Sequence, residues 1–284
     1  MSNTNSALSY RTSAGRLALA ALAGVALFPL PALSEPEDAP DVLNDPFAIE
    51  LGTYLVAADT KVRFDGTAGQ GTPVDLNHTF GSGDVSRIRF DGQWRFAEKH
   101  KLRALIFDYS RSQSKTISED IEFGGETFPI DARVTAESKF SIYELGYEYA
   151  FLRRENYEVS GSFGLHYADF KLSLSATNPE TSQRISREAS VGAPLPVFGL
   201  RGTWKLPHNL AIDLSGQFFS LTYGDYSGDV QDYRAVLVWQ PKKWLGAGIG
   251  YDRFKVNVDV NTDKFDGNLN WTYQGPMIFY RASF

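Results

Sequence analysis

The chain has 284 residues, a formal net charge of −6 at pH 7 and no cysteine. A disulfide framework and an acylated cysteine anchor are therefore both excluded. The sequence contains no Lys/Arg-rich block or basic stripe, which argues against nucleic acid as a partner. No apolar stretch beyond the amino-terminal region is long enough for a membrane-spanning helix.

Residues 1–34 have the pattern of a cleavable signal peptide. Arg11 and Arg16 precede an apolar run over 17–30, and small residues at 32–34 predict cleavage before Glu35. An anchoring helix is the alternative, but the run is short and contains Pro29, with Pro31 directly after it. Removing this segment takes away two basic residues and no acidic ones, which gives the mature chain a net charge of −8.

Residues 35–46 are acidic and punctuated by proline, which predicts a disordered leader. From residue 47 to 284 the chain alternates between apolar and polar side chains, as half-buried strands do. Ten strands are predicted, with eight as the alternative count: 47–57, 84–97, 101–112, 138–151, 156–174, 192–205, 208–223, 230–240, 244–259 and 265–284. Tight turns alternate with longer loops between them, as expected of an antiparallel up-and-down β-barrel.

The composition of the two strand faces favours a transmembrane barrel over a soluble β-sandwich. Aromatic residues flank the tight turns on or near the apolar face and predict one interfacial girdle: Trp94, Phe96, Tyr149, Trp204, Trp239 and Trp244. A second group lies near the opposite strand ends and predicts the other girdle: Tyr109, Phe170, Phe219, Tyr223, Tyr233 and Trp271. Where the apolar face changes parity, as around Gly275-Pro276, a β-bulge is predicted.

The polar face predicts a network of charged side chains in the barrel lumen: Glu50, Arg89, Asp91, Arg95, Asp108, Glu144, Glu148, His166, Arg201, Asp213 and Arg234. The turn at 206–208 places Arg201 opposite Asp213, and the next hairpin places Arg234 opposite Gly250. Because a narrow barrel fills its interior with paired side chains, a structural network is favoured over a proton-transfer or ligand site.

No catalytic residue, cofactor site or metal site is predicted. The four histidines are dispersed, and the chain lacks cysteine, so no clustered metal ligands are evident. Asp75 and His78 lie close together in the first long loop, where a barrel protease would carry its site. A ten-stranded barrel resembles the omptin proteases, but no omptin motif surrounds these two residues.

The chain ends with the alternating sequence IFYRASF, in which Tyr280, Ala282 and Phe284 share a phase. This ending resembles the carboxy-terminal assembly signal of Gram-negative outer-membrane proteins. With the predicted signal peptide and strands, the chain resembles small outer-membrane β-barrels of the OmpA/OmpX type. The resemblance implies an outer-membrane location with periplasmic termini. It also implies contacts with lipid and lipopolysaccharide, and with the barrel-assembly machinery and periplasmic chaperones during assembly.

Two functions are compatible with these features. The first is a barrel with a lumen filled by polar side chains and a structural or surface-interaction role. The second is a narrow pore for small solutes. An outer-membrane protease or an enzyme that modifies lipid A is a further alternative, although no enzymatic activity is predicted.

Overall fold

The computed structural model describes residues 40–64, 71–80, 84–177, 184–262 and 265–284. The predicted signal peptide lies outside these ranges. The elements in chain order are β1 (Phe47–Phe64), β2 (Val74–Asp75), α1 (Leu76–Phe80), β3 (Asp84–Ala97), β4 (His100–Thr116), β5 (Ile121–Phe123), β6 (Glu126–Phe128), β7 (Arg133–Arg153), β8 (Tyr157–Thr177), β9 (Arg184–Leu206), β10 (Leu210–Tyr223), β11 (Tyr226–Lys242), β12 (Leu245–Thr262) and β13 (Phe265–Ser283). None of the described helices is long and apolar enough to cross a membrane.

Ten long antiparallel strands form a closed barrel, which confirms the predicted fold class and the count of ten. Each long strand pairs with its neighbours in chain order, and β13 closes the ring on β1. The closing register runs from Ala48 opposite Ser283 to Phe64 opposite Gly267. The last residue joins the closure, since Phe284 N donates to Phe47 O at 2.9 Å. The short β5 and β6 form a separate hairpin.

The two ends of the barrel differ in the length of their connections. At one end, called here the turn end, β3–β4, β7–β8, β9–β10 and β11–β12 are joined by two or three residues. His208 and Asn209 adopt positive φ there, at 63° and 60°. The opposite end, called the loop end, carries α1, the β5–β6 hairpin and the longest connections, although β10 and β11 are joined there by only two residues.

The predicted bulges at the parity changes are absent from the described strands. Pairing runs without interruption through Gly275-Pro276 on both sides of β13. The register shifts that do occur lie beside the tight turns, between Arg95 and Ala97, between Ala150 and Leu152, and between Trp239 and Lys242. The parity changes therefore need a different explanation, which is given by the side-chain directions.

Side chains on the outer surface change character halfway along each long strand. On β7 the outward residues near the turn end are Tyr143, Leu145, Tyr147, Tyr149 and Phe151, whereas those near the loop end are Arg133, Thr135, Glu137, Lys139 and Ser141. On β13 the change falls between the outward Gln274 and Ile278. The outer surface is thus apolar around the turn half of the barrel and polar around the loop half.

The inner surface changes in the opposite sense at the same level. On β7 the inward residues are Glu148 and Glu144 in the turn half, and Ile142, Phe140 and Val134 in the loop half. Because polarity inverts on both faces at once, the strand keeps its period of two while its apolar face moves from outside to inside. This inversion produces the parity changes without any extra residue.

The described part of the predicted leader, residues 40–46, is ordered, so the prediction of disorder is wrong for this stretch. Residues 42–44 form a turn, and Leu43 is buried at the turn end with 2% exposure. Arg153 donates to Leu43 O at 2.9 Å. Ser283 Oγ donates to Asp45 Oδ2 at 2.5 Å. A single apolar side chain and a few hydrogen bonds suffice to hold an otherwise acidic segment against the barrel.

Candidate functional site: the barrel interior

Ten of the eleven residues predicted to line the lumen point into the barrel. Asp108 does not: it is exposed on the outer surface, because the inward positions of β4 are its odd-numbered neighbours Phe107 and Tyr109. The prediction for Asp108 is therefore wrong. Asp108 was assigned to the lumen because it is polar, but it lies where β4 enters the loop half, and there the polar residues of a strand face outward.

The first part of the polar network joins β1, β3, β11, β12 and β13. Arg234 Nη2 lies 2.6 Å from Glu50 Oε2, and Arg281 binds the other oxygen of the same carboxylate at 2.5 Å. Arg89 contacts Asp91 at 2.8 Å and Asp252 at 2.5 Å. Each of these carboxylates is buried, and each has a guanidinium partner, as buried charges require.

The second part of the network centres on Glu148. Lys101 Nζ lies 2.9 Å from its Oε2, and Arg201 Nε lies 2.8 Å from its Oε1. Arg201 also forms the predicted ion pair with Asp213. The pair is diagonal rather than directly opposed, since Arg201 stands opposite Ser215 and Asp213 opposite Thr203. The turn is centred on His208, one residue later than predicted, which shifts the register by two.

Glu158 completes the network at the turn end. It contacts Arg95 at 3.0 Å and Lys101 at 2.6 Å. Lys101, Asp252 and Arg281 belong to this interior, although the sequence analysis did not assign them to it. Parity alone would not have found all three, because Lys101 lies an odd number of positions from Asp108, the residue predicted for the lumen on β4. Asp252 shares the parity of the inward Gly248 and Gly250, but no charged lumen residue was predicted on β12 or β13.

The inward glycines of β12 do not leave free space. A Cβ at Gly248 would clash with the Phe279 ring, and one at Gly250 would clash with the Val236 side chain. Arg234 stands opposite Asp252 rather than Gly250, so its predicted register is wrong. Two described cavities in the turn half have volumes of about 20 Å³ each, enough for single water molecules.

An aromatic core fills the interior of the loop half, and the sequence analysis missed it. Trp271, with 0% exposure, stacks on Phe140 at a centroid distance of 3.7 Å. Phe254 lies 5.6 Å from Tyr273, and Phe107 lies 5.0 Å from Tyr273 on its other side. These rings come from four strands and meet across the barrel, so the interior of the loop half is packed like a soluble protein core.

This core corrects the prediction of a second aromatic girdle. Tyr109, Phe170 and Trp271 are buried inside the barrel, whereas Tyr233 is half exposed on its outer surface. The first girdle differs: Phe96, Tyr149, Trp204, Trp239 and Trp244 are exposed on the outer surface near the turns. Trp94 is half-buried there and stacks on Phe47 at 5.9 Å. Of the assembly-signal residues, Tyr280 and Phe284 are exposed and Ala282 is buried.

A small polar cluster separates the charged network from the aromatic core. Glu144 stands directly opposite His166 on the β7–β8 pair, with 3.1 Å between its Oε2 and His166 Nε2. Gln217 stands opposite Asp232 on the β10–β11 pair, and its amide donates to Glu144 Oε1 at 2.7 Å. The His166 ring is wholly buried and lies 5.9 Å from the Phe254 ring.

Gly199 on β9 makes this crossing possible. A Cβ at Gly199 would lie 2.7 Å from Gln217 Cγ and 2.6 Å from the Gly216 carbonyl oxygen. Since a real Cβ does not approach backbone so closely, only glycine leaves room for the Gln217 side chain to pass over β9 toward Glu144.

Asp75, which lies near His78 at the loop end, contacts backbone amides and a lysine. Asp75 Oδ1 accepts hydrogen bonds from the backbone amides of Asn77 at 3.0 Å and His78 at 2.9 Å. Its other oxygen lies 3.6 Å from Lys61 Nζ. Asp75 therefore caps the amino terminus of the short helix α1, and this capping role accounts for its position three residues before His78.

The closed ten-stranded ring, the apolar outer band and the charged interior define the fold of an outer-membrane β-barrel protein. Among solved structures, the chain is similar to the outer membrane protease OmpT from Escherichia coli, with a TM-score of 0.55 and 8% identity over 87% of this chain and 99% of that one. It also matches Ail, the attachment invasion locus protein of Yersinia pestis, with a TM-score of 0.35 and 12% identity over 83% of this chain and 97% of that one. A third match is the Pseudomonas putida toluene transporter TodX, with a TM-score of 0.36 and 8% identity over 87% of this chain and 91% of that one. No protein-family model and no curated protein matches the sequence.

Proposed function

We propose that this protein is a non-conducting barrel of the Gram-negative outer membrane whose loop half is a rigid platform for surface interactions. The observation that carries the proposal is the aromatic core around Trp271, which fills the loop half above the ion-pair network. A barrel of about eight to ten strands has an interior that side chains can fill, whereas porins of sixteen or more strands leave a channel.

The outer surface supports a specific position in the membrane. The apolar outward stretch covers residues 143–151 on β7 and 276–284 on β13. About 9–11 residues of a tilted strand cross a bilayer, so these stretches match the hydrocarbon thickness. We therefore infer that the turn half spans the membrane with the termini in the periplasm, and that the loop half stands outside.

The length of three neighbouring strands supports the interaction role. β7 and β8 have 21 residues each and β9 has 23, against 14 in β3 and β10. These three strands extend further from the turn end than β3 and β10 do. Their outward residues in the loop half are mostly polar or charged. A rigid wall of this kind presents a fixed surface to lipopolysaccharide or to another cell-surface molecule.

Conductance in planar bilayers tests the proposal. We expect the wild-type protein to form no stable open channel. The Arg234→Ala variant should give at most brief, small openings, because the aromatic core remains in place. A steady conductance of porin size from the wild type would contradict the proposal and favour the alternative of a pore for small solutes.

Membrane insertion is tested separately from conductance. In detergent, the purified barrel should migrate differently on gels with and without heating. Deleting Phe284 should slow its assembly in cells, because the residue closes the ring through Phe47 and ends the proposed assembly signal. Recovery of a stable monomer without detergent would contradict a membrane location. Hydrolysis of a peptide or of lipid A by the purified protein would favour the enzymatic alternative.

A further inference from the structure

The buried carboxylates of the described interior divide into two kinds. Six have an arginine or lysine within ion-pair distance: Glu50, Asp91, Glu148, Glu158, Asp213 and Asp252. Glu144 and Asp232 have none among the described residues, and these two flank His166. A buried carboxylate that lacks a permanently charged partner is compensated by hydrogen-bond donors, by a proton or by a metal ion.

The geometry of the three side chains fits a common centre. One ligand atom from each of Glu144, His166 and Asp232 lies within 4.8 Å of the other two. A Zn²⁺ ion binds imidazole nitrogen at about 2.0–2.1 Å and carboxylate oxygen at about 2.0–2.2 Å. Small side-chain rotations would bring the three atoms to those distances from one point.

Unused hydrogen-bonding capacity points to the same centre. His166 has 0% exposure, and its Nδ1 has no hydrogen-bond partner among the described residues, while its Nε2 lies 3.1 Å from Glu144 Oε2. Asp232 Oδ1 is also buried and has no such partner there. Buried polar atoms are almost always paired, so the unpaired Asp232 Oδ1 beside the buried His166 ring indicates a ligand between these side chains.

We propose that Glu144, His166 and Asp232 bind a divalent first-row transition-metal ion, with Zn²⁺ as the first candidate. The two carboxylates balance its charge, and a water molecule supplies the fourth ligand from the adjacent cavity of about 20 Å³, which Glu144, Gln217 and Asp232 line. Gln217 orients Glu144 through its 2.7 Å hydrogen bond. The ion links β7 and β8 to β11 across the lumen, at the level where the charged network meets the aromatic core.

The proposed site differs from the sequence-based expectation of no metal site, and the test below decides between them. The expectation relied on the absence of clustered histidines, whereas these three ligands come from separate strands. The ion enters during folding, because the aromatic core covers the site on one side and the ion-pair network covers it on the other.

The test is refolding of the full chain in detergent with Zn²⁺ or with a chelator, followed by removal of unbound metal and elemental analysis. We expect one Zn²⁺ per chain in the wild type. His166→Gln and Asp232→Asn should each lower the affinity by at least the roughly 10–100-fold that follows loss of a residue hydrogen-bonded to a metal ligand. The matched controls His78→Gln and Asp108→Asn, which change residues outside the lumen, should retain the ion.

A second measurement covers variants that fail to fold, which the gel shift on heating will reveal. The wild type refolded with Zn²⁺ should unfold at a higher urea concentration than the wild type refolded with the chelator, because an ion bound only to the native state stabilises it. The proposal is overturned if the wild type retains no Zn²⁺ and its urea midpoint does not depend on the metal. It is equally overturned if folded His166→Gln and Asp232→Asn proteins retain as much Zn²⁺ as the controls. Either result would favour a protonated His166 that pairs with Glu144 instead.

Discussion

The two halves of the barrel are held together by opposite chemistry. In the turn half, charged residues such as Glu148 and Arg201 face inward and leucines face outward. In the loop half, rings such as Phe140 and Trp271 face inward and charged residues face outward. Each half turns its apolar surface away from water: outward in the turn half, where we propose that lipid surrounds it, and into the barrel interior in the loop half. The same continuous strands can therefore be stable in two different surroundings if the polarity of their two faces inverts where the turn half meets the loop half.

The largest loss of stability is expected from the aromatic core. Trp271→Ala removes a fully buried ring stacked on Phe140 and should lower the free energy of unfolding by about 3–5 kcal/mol. Urea unfolding of the barrel in detergent measures this loss. Trp239→Ala is the matched control, since that ring is 50% exposed on the outer surface and should cost less. Equal losses in the two variants would mean that the loop half has no packed core.

A smaller loss in the free energy of unfolding is expected in the turn half, where ion pairs fill the interior. Glu148→Ala leaves Lys101 and Arg201 without their shared carboxylate, a change that typically costs about 3–5 kcal/mol. Water can enter the adjacent cavities, so we expect the lower end of that range in the same urea titration. Asp108→Ala, at an exposed position, should stay within about 0.5 kcal/mol. A closed bilayer recording from Glu148→Ala would show that the aromatic core alone blocks the lumen.

The diagonal pair Arg201–Asp213 should show energetic coupling, because the interior of the turn half is held together by ion pairs. Asp213→Ala should destabilise the barrel more than the double change Arg201→Ala/Asp213→Ala, because the single change leaves the buried Arg201 guanidinium with Glu148 alone to balance it. A double-mutant cycle of urea midpoints should give a coupling energy of about 0.5–3 kcal/mol. Strict additivity would show that the contact contributes nothing.

The smallest expected effect concerns pH at the ordered leader, outside the strands. Burial raises the pKa of Asp45 above its usual 3.8, an effect that the Ser283 hydrogen bond only partly offsets. Its contribution to stability is therefore fully present below about pH 3.8 and is lost as the pH rises through the folded pKa. Asp45→Asn should remove this decline from urea midpoints measured across that range.

Asp41 provides the control with the opposite sign. Burial tends to raise its pKa as well, but hydrogen bonds from Asn44 and Leu43 and the ion pair with Lys205 outweigh burial and lower it. Its contribution is present above the ordinary value of 3.8 and is lost as the pH falls through the folded pKa. The same pH slope in Asp41→Asn and Asp45→Asn would contradict both assignments.

The strands could be predicted from local patterns, because a period of two and the turn residues depend only on the order of residues along the chain. The sequence predicted the ten strands to within a few residues at the turn end, and it identified the pairing of Arg201 with Asp213. It underestimated the strands at the loop end, where β7 begins at Arg133 rather than residue 138. The polar outward residues there are typical of loops as well as of strands exposed to water.

Which face of each strand points into the barrel became clear only from the folded chain. Alternation shows that neighbouring residues lie on opposite faces, but it does not show which face is inside. The inward face was inferred from the assumption that one solvent surrounds the whole barrel. That assumption holds for Trp239 and fails for Trp271 and Asp108. The meeting of Glu144, His166 and Asp232 was also beyond the sequence, because it depends on the closure of the ring and on the register of separate hairpins. The distance between two side chains on opposite walls of the barrel depends on the position of every strand that separates them in the ring. No local sequence pattern contains that information.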